Sequence, residues 1–322
     1  MKILEIKDLR MYYTTKKGDV KAVEEVSLEI GKGESVGLVG ESGCGKTSIG
    51  ISILKLLPDN ARILEGEVNF IGEDLVPKTE SEMRSVRWNK ISMIFQAAMN
   101  ALNPVYKVGD QIVEAIRLHE DVVKEEARER VAKLYELVGM NPERMENYPH
   151  EYSGGMKQRA IIAMALACDP DMIIADEPTT ALDVIVQDNI IQEIKNIQKK
   201  LEMTMMYISH DISVIAETCE RIAVMYAGNV VEYADSVSLF ASPLHPYTSG
   251  LLSSFPSIKG PLRTLTPIPG EPPNLLNPPS GCRFHPRCPY AQKICKDKVP
   301  AFKEYTERHY AACHFAGELS LR

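Results

Sequence analysis

The stretch Gly40-Glu41-Ser42-Gly43-Cys44-Gly45-Lys46-Thr47 constrains this chain more than any other. It follows the apolar run Val36-Gly37-Leu38-Val39 and so dictates a buried strand, a tight loop and a helix in succession. Its spacing is G-x-x-x-x-G-K-[ST], and the residue types have chemical reasons. Glycines 40, 43 and 45 let backbone N–H groups approach an anion closely, and the helix behind them turns its positive end toward it. Lys46 is suited to the β and γ phosphates of a nucleoside triphosphate, and Thr47 to the accompanying Mg²⁺. A glycine-rich turn that merely caps a helix is the plain alternative, but it does not explain why strand, loop and helix signals fall together.

A second apolar run, Met172-Ile173-Ile174-Ala175, ends in Asp176-Glu177. One carboxylate there is placed for the Mg²⁺ shell and the next to orient and deprotonate an attacking water. The pair lies 130 residues beyond Lys46 and is followed by Pro178-Thr179-Thr180-Ala181-Leu182-Asp183. Gln96, after Ile91-Ser92-Met93-Ile94-Phe95, is suited to touch both Mg²⁺ and that water. His210 follows a third apolar run, Met205-Met206-Tyr207-Ile208, where an imidazole at a strand end can meet a γ phosphate. Alone, each of these residues would read as structural; their order gives them meaning. Ser153-Gly154-Gly155-Met156, after Tyr152, opens a helix whose N–H groups form a further anion site.

Between these motifs the pattern alternates helix and buried strand, which predicts a mostly parallel sheet. Residues 1–30 alternate apolar and polar positions and predict an antiparallel sheet. Positions Ile112, Val113, Ile116, Val131, Leu134, Leu137 and Val138 have helical spacing within an inserted segment, about residues 105–160. Helices are expected from Gln158 to Cys168 and from about Val186 to Leu201. The net charge of -7, from 37 basic and 44 acidic residues, gives no general attraction for nucleic acid. No apolar run approaches the roughly 18 residues of a membrane span, and the first residues lack a signal-peptide core, so a cytoplasmic protein is expected.

Taken together, residues 1 to about 250 resemble the ATP-binding cassette superfamily, with six motifs agreeing in order and spacing. The resemblance implies an α/β fold of P-loop NTPase type with an N-terminal antiparallel β subdomain, an inserted helical signature subdomain and a C-terminal Cys-rich loop domain. The corresponding domains are 1–252 and 253–322. It implies ATP hydrolysis with Glu177 as base, assisted by Lys46, Gln96 and His210, and Mg²⁺ held by Thr47, Gln96 and Asp176. Nucleotide contacts would come from Gly40, Ser42, Gly43, Cys44, Gly45, Lys46, Thr47, Ser48, Gln96, Asp176 and Asp183. Adenine would stack on Tyr13, with Tyr12 as the alternative. The signature residues Ser153, Gly154 and Gly155 would complete the site of an opposite protomer, since a phosphate held by Lys46 does not reach them within one subunit. Each motif occurs once, so the second half must come from another chain. This sequence has Tyr152 where the family usually has leucine, Met156 where glutamine is common, and Ala97 where an acidic residue is frequent.

Three further segments resemble the dipeptide and oligopeptide importer ATPases: Phe95–Pro104, Tyr148–Met156 and Ser242-Pro243-Leu244-His245-Pro246-Tyr247-Thr248. The last lies outside the catalytic motifs, which makes it discriminating. The resemblance implies a peripheral subunit at the cytoplasmic membrane face that powers uptake of peptides or related oligosaccharides. Its partners would be a second, related ATPase chain, two permease subunits and, through them, an extracytoplasmic solute-binding protein. A soluble cassette ATPase with an iron–sulfur redox-sensing tail, not acting in transport, is the alternative.

The tail carries four of the seven cysteines, as Cys282-x₅-Cys288-x₆-Cys295-x₁₇-Cys313. Four soft ligands in a proline-rich segment with little core point to a stapling metal in a reducing compartment. Zinc prefers tighter pairs, although His285, His309 and His314 keep a Cys₃His site open. The importer resemblance favours a [4Fe–4S] cluster on Cys282, Cys288, Cys295 and Cys313. Cys44, Cys168 and Cys219 read as small buried residues, with Cys44 a candidate for oxidation. Pro256, Pro261, Pro267 and their neighbours make regular structure implausible between the two regions.

Overall fold

The alternating N-terminal residues form two long antiparallel strands, Lys2–Thr15 and Gly18–Gly31, with Ile6 opposite Leu28. Leu4, Ile6, Leu9 and Met11 point inward and are buried, while the lysines and glutamates between them face out. Ala61–Phe70 and Glu73–Asp74 extend this sheet on the side of Lys2–Thr15. The antiparallel sheet expected from residues 1–30 is therefore present.

The computed structural model describes residues 1–96, 98–180, 182–254 and 268–321. Ala97 and the prolines Pro256, Pro261 and Pro267 lie outside the described residues. The chain divides into one unit of Met1–Val76 with Ile208–Arg322 and another of Pro77–Tyr207.

In the first unit a second sheet places Ser35–Val39 parallel to Arg221–Tyr226, with Leu38 opposite Ala223. Both strands are buried throughout, as runs covered on two faces must be. Asn229–Asp235 continues the sheet antiparallel, followed by His309–Ala311 and Lys303–Thr306. This sheet is mixed: the buried strands Ser35–Val39 and Arg221–Tyr226 pair in parallel as expected, and antiparallel strands are added beside them as the C-terminal residues return to pair with Asn229–Asp235. The Cys-bearing segment is not only loop, since it supplies two strands and the short helix Lys293–Asp297 to this same unit.

The second unit pairs Ile91–Ile94 with Met172–Asp176 in parallel, Ile91 opposite Met172. Its helices include Val108–His119, Lys124–Leu137, Gly154–Ala165 and Val184–Leu201. The inserted helical segment expected at about 105–160 lies here. The helix whose apolar pattern is read from Gln158 begins at Gly154, where Ser153-Gly154-Gly155 is expected to open it, because the Ser153 side chain accepts the Met156 N–H and caps it there. The helix expected from Val186 likewise begins at Val184, capped by Asp183. Among the described residues no helix is long and apolar enough to cross a membrane.

Candidate nucleotide site

The loop after Ser35–Val39 has little room for side chains. Gly45 sits at φ +108°, and a Cβ there would lie 2.0 Å from the Ala22 carbonyl oxygen. One on Gly40 would meet the Met225 carbonyl oxygen at 2.1 Å. Strands Gly18–Gly31 and Arg221–Tyr226 thus press the loop from behind, and only glycine tolerates that approach. The helix Lys46–Ile53 starts directly from Gly45 with no side chain capping it, which leaves its first N–H groups for an anion. Lys46 is buried and bends back over the loop, donating to the carbonyls of Gly40 at 2.7 Å and Glu41 at 3.0 Å. Ser42, Gly43 and Thr47 are exposed on the outer side, and Ser48 is buried.

The Tyr13 hydroxyl lies 3.1 Å from Ser48 Oγ, beside the loop helix. Tyr12 instead donates to the Glu24 carboxylate at 2.9 Å, and burial together with that carboxylate pushes its pKa up to about 12. The two tyrosines are thereby separated by their partners, and Tyr13 is the one beside the nucleotide loop. Cys44 is buried, and burial pushes its thiol pKa up, the opposite of what an oxidation-prone thiolate needs. Cys168 and Cys219 are buried, as the sequence suggested. His210 is exposed just beyond Thr204–Ser209, followed by Asp211, which caps Ile212–Thr218.

In the second unit Gln96 and Glu177 meet. Gln96 Nε2 donates to Glu177 Oε2 at 2.8 Å, and Thr180 Oγ1 donates to the same oxygen at 2.9 Å. Glu177 takes the left-handed backbone conformation at φ +46°, an uncommon one for glutamate and one that marks functional turns. Asp176 is the buried last residue of its strand. Ser153 and Gly154 are exposed at the start of Gly154–Ala165, so that helix end faces outward. Asp183 has a local duty the sequence did not reveal: it accepts the Val186 N–H at 3.0 Å. Thr180 was likewise missed as a partner of Glu177, although a hydroxyl three residues beyond a carboxylate is a usable signal.

The four tail cysteines, Cys282, Cys288, Cys295 and Cys313, line one cavity in the first unit. Apolar Phe284, Phe315 and Leu319 wall it, with His245, His285 and His314. Burial, reinforced by the neighbouring thiols, pushes Cys282 and Cys288 up to about 11. His309 does not belong to this group: it is buried against Glu232 Oε1 at 2.8 Å, which removes it from the Cys₃His alternative. Among the described residues no three Cys, His, Asp or Glu side chains form a group able to hold one metal ion.

Comparison with known proteins agrees with this layout. The family model described as ABC transporter matches residues 23–180, and that of the oligopeptide/dipeptide transporter C-terminal region matches residues 231–295. The chain is 46% identical to the oligopeptide transport ATP-binding protein OppD of Bacillus subtilis, over 96% of this chain and 87% of that one. It is 43% identical to the dipeptide transport ATP-binding protein DppD of Caldanaerobacter subterraneus, over 98% of both. The dimeric post-hydrolysis structure of the ATP-binding cassette MJ0796 with ADP and Pi superposes at TM-score 0.65 and 28% identity. That match covers 72% of this chain and 98% of the other.

Proposed function

The chain belongs to the ATP-binding proteins of ABC transporters, and on that premise we propose that it hydrolyses ATP to drive a membrane importer of peptides. The observation that carries the reading is the crowded loop Gly40–Thr47, with two glycines against backbone carbonyls and Lys46 folded across it. Phosphates settle on the N–H groups of this loop and of the helix start, and Lys46 exchanges its carbonyl partners for phosphate oxygens. Thr47, Asp176 and Gln96 are the residues that would hold Mg²⁺, which would offset the charge on the transferred phosphoryl group. Glu177, steadied by Gln96 and Thr180, accepts the proton of the attacking water. His210 reads the γ phosphate, and Tyr13 stacks on adenine. Ser153, Gly154 and Gly155 engage the nucleotide of a second ATPase chain, with Asp183 at the junction, so that ATP closes the pair and hydrolysis reopens it.

Peptides as cargo are supported by the relatives' names and by the match at residues 231–295. On this reading two permease subunits, a related second ATPase chain and an extracytoplasmic solute-binding protein complete the machine at the cytoplasmic membrane face. The relatives offer no support for the non-transport alternative. Residues 253–322 form the importer-type extension to the 1–252 ATPase domain, with Cys282, Cys288, Cys295 and Cys313 holding a [4Fe–4S] cluster. Four thiols on one apolar-walled cavity fit that donor set. Such a cluster would hold the segment folded. Anaerobic purification with iron and sulfide analysis tests this: four of each per chain is expected, and one zinc without iron refutes it.

The transport reading is tested with Glu177→Gln in the assembled importer. ATP-driven peptide uptake into vesicles should cease, while ATP binding persists. Wild-type turnover by that variant would remove Glu177 as the base.

A further inference from the structure

The C-terminal segment reaches the nucleotide loop through one side chain. Arg287, next to Cys288, lays a fork on Glu41: Nη1 donates to Oε2 at 2.7 Å and Nη2 to Oε1 at 3.0 Å. Its Nε donates to the Pro269 carbonyl at 2.8 Å, and its side chain is only 5% exposed. Glu41 is the second residue of the loop, and all its polar groups are engaged. Its N–H donates to the Tyr247 hydroxyl at 3.0 Å, its carbonyl accepts from Lys46 at 3.0 Å, and its carboxylate takes the Arg287 fork. Tyr247 packs in turn on Tyr226 and on Phe284 of the tail, with ring centroids 4.6 and 5.4 Å apart.

The outer turn of the loop has no comparable support. Ser42 and Gly43 are exposed, and a Cβ placed on Gly43 would meet nothing within 4 Å. Glycines that permit close approach to phosphate also leave the loop entropically loose. A part-buried bidentate ion pair is directional enough to limit that freedom, which a single flexible ammonium is not.

We propose that Arg287 is a positioning residue for ATP: acting through Glu41, it holds the loop in its phosphate-binding shape and makes the C-terminal segment part of the nucleotide site. The proposal rests on the reading of Gly40–Thr47 as the ATP loop. Removing the fork leaves Lys46 leaning on a loop free to move, so affinity for nucleotide falls before the fold does.

The test measures equilibrium binding of a fluorescent ATP analogue with Mg²⁺ to the full-length chain, alongside thermal melting. Arg287→Met and Glu41→Gln should each weaken binding by about 10-fold or more, the scale of a hydrogen-bonded charge. The double variant should bind no more weakly than either single one, since both remove the same brace. Arg287→Lys keeps the charge without the fork; it should stay folded and recover part of the affinity. Binding by Arg287→Met and Arg287→Lys within twofold of wild type overturns the proposal, even if melting drops, because the arginine would then serve stability alone. Losses that simply add in the double variant overturn it as well. Lys46→Ala separates the two readings: if it binds normally, the ATP loop itself is misassigned and the brace falls with it.

Discussion

Replacing Gly45 with alanine tests the nucleotide loop at its tightest point. The added Cβ would sit 2.0 Å from the Ala22 carbonyl oxygen and 2.7 Å from Met225 Cε. The methionine tip can swing away; the backbone oxygen cannot. Real Cβ atoms do not approach within 3.0 Å, so loop or strand must retreat by at least the difference, 1.0 Å. The backbone at φ +108° adds strain of about 1–3 kcal/mol for any residue with a Cβ. Gly45 immediately precedes Lys46, so the displacement falls on the first N–H groups of Lys46–Ile53 and on the lysine itself. A misplacement on this scale costs about 10²-fold in catalytic efficiency, equivalent to about 2.7 kcal/mol of transition-state stabilisation. Steady-state ATPase kinetics on the assembled transporter would show kcat/KM down by about that factor. Parallel melting would report the strain itself, as a loss of about 1–3 kcal/mol in stability. A Gly45→Ala enzyme within threefold of wild type would refute the claim that these N–H groups form the phosphate cradle.

Four further outcomes follow from the geometry. Phe284→Ala, at a buried ring packed on Tyr226, Tyr247 and His245, should destabilise the first unit by about 3–5 kcal/mol in urea denaturation; a shift under 1 kcal/mol would contradict the packing. Tyr13→Ala should raise the KM for ATP by about 5- to 150-fold while Tyr12→Ala does not, because stacking on a base contributes about 1–3 kcal/mol. The reverse ranking would exchange their roles. Cys44 should resist iodoacetamide at neutral pH, since burial raises its thiol pKa, and peptide mass spectrometry showing rapid alkylation would refute that environment. Ser153→Ala removes the cap on Gly154–Ala165, about 1 kcal/mol of local stability, and should lower ATP turnover with little change in nucleotide binding. Equal losses in both would place Ser153 in its own subunit's site.

The local motifs were legible because their chemistry is confined to short spans. Gly40 to Thr47 declares strand, loop and helix through steric demands no other residues satisfy, and Met172–Asp176 announces itself as a buried strand ending in carboxylates. Helix starts were legible unevenly: Ser153-Gly154-Gly155 announces the opening of a helix and does open one, whereas the apolar pattern alone places its start only at Gln158. The choice between Tyr12 and Tyr13 needed partners distant in sequence, Glu24 for one and Ser48 for the other.

What the sequence by itself determined was a glycine-rich loop between strand and helix, a carboxylate pair at a strand end, a serine-capped helix start and a run of four closely spaced thiols, each set by the residues within it. Tertiary structure decided how the last belongs with the first. The strand His309–Ala311 pairs with Asn229–Asp235, and Arg287 meets Glu41 across 246 positions of sequence. Neither contact has a local signature, because a short strand takes whatever partner the fold brings alongside and an ion pair depends on distance in space. A segment that reads as an appendage is thereby built into the unit that carries the nucleotide loop.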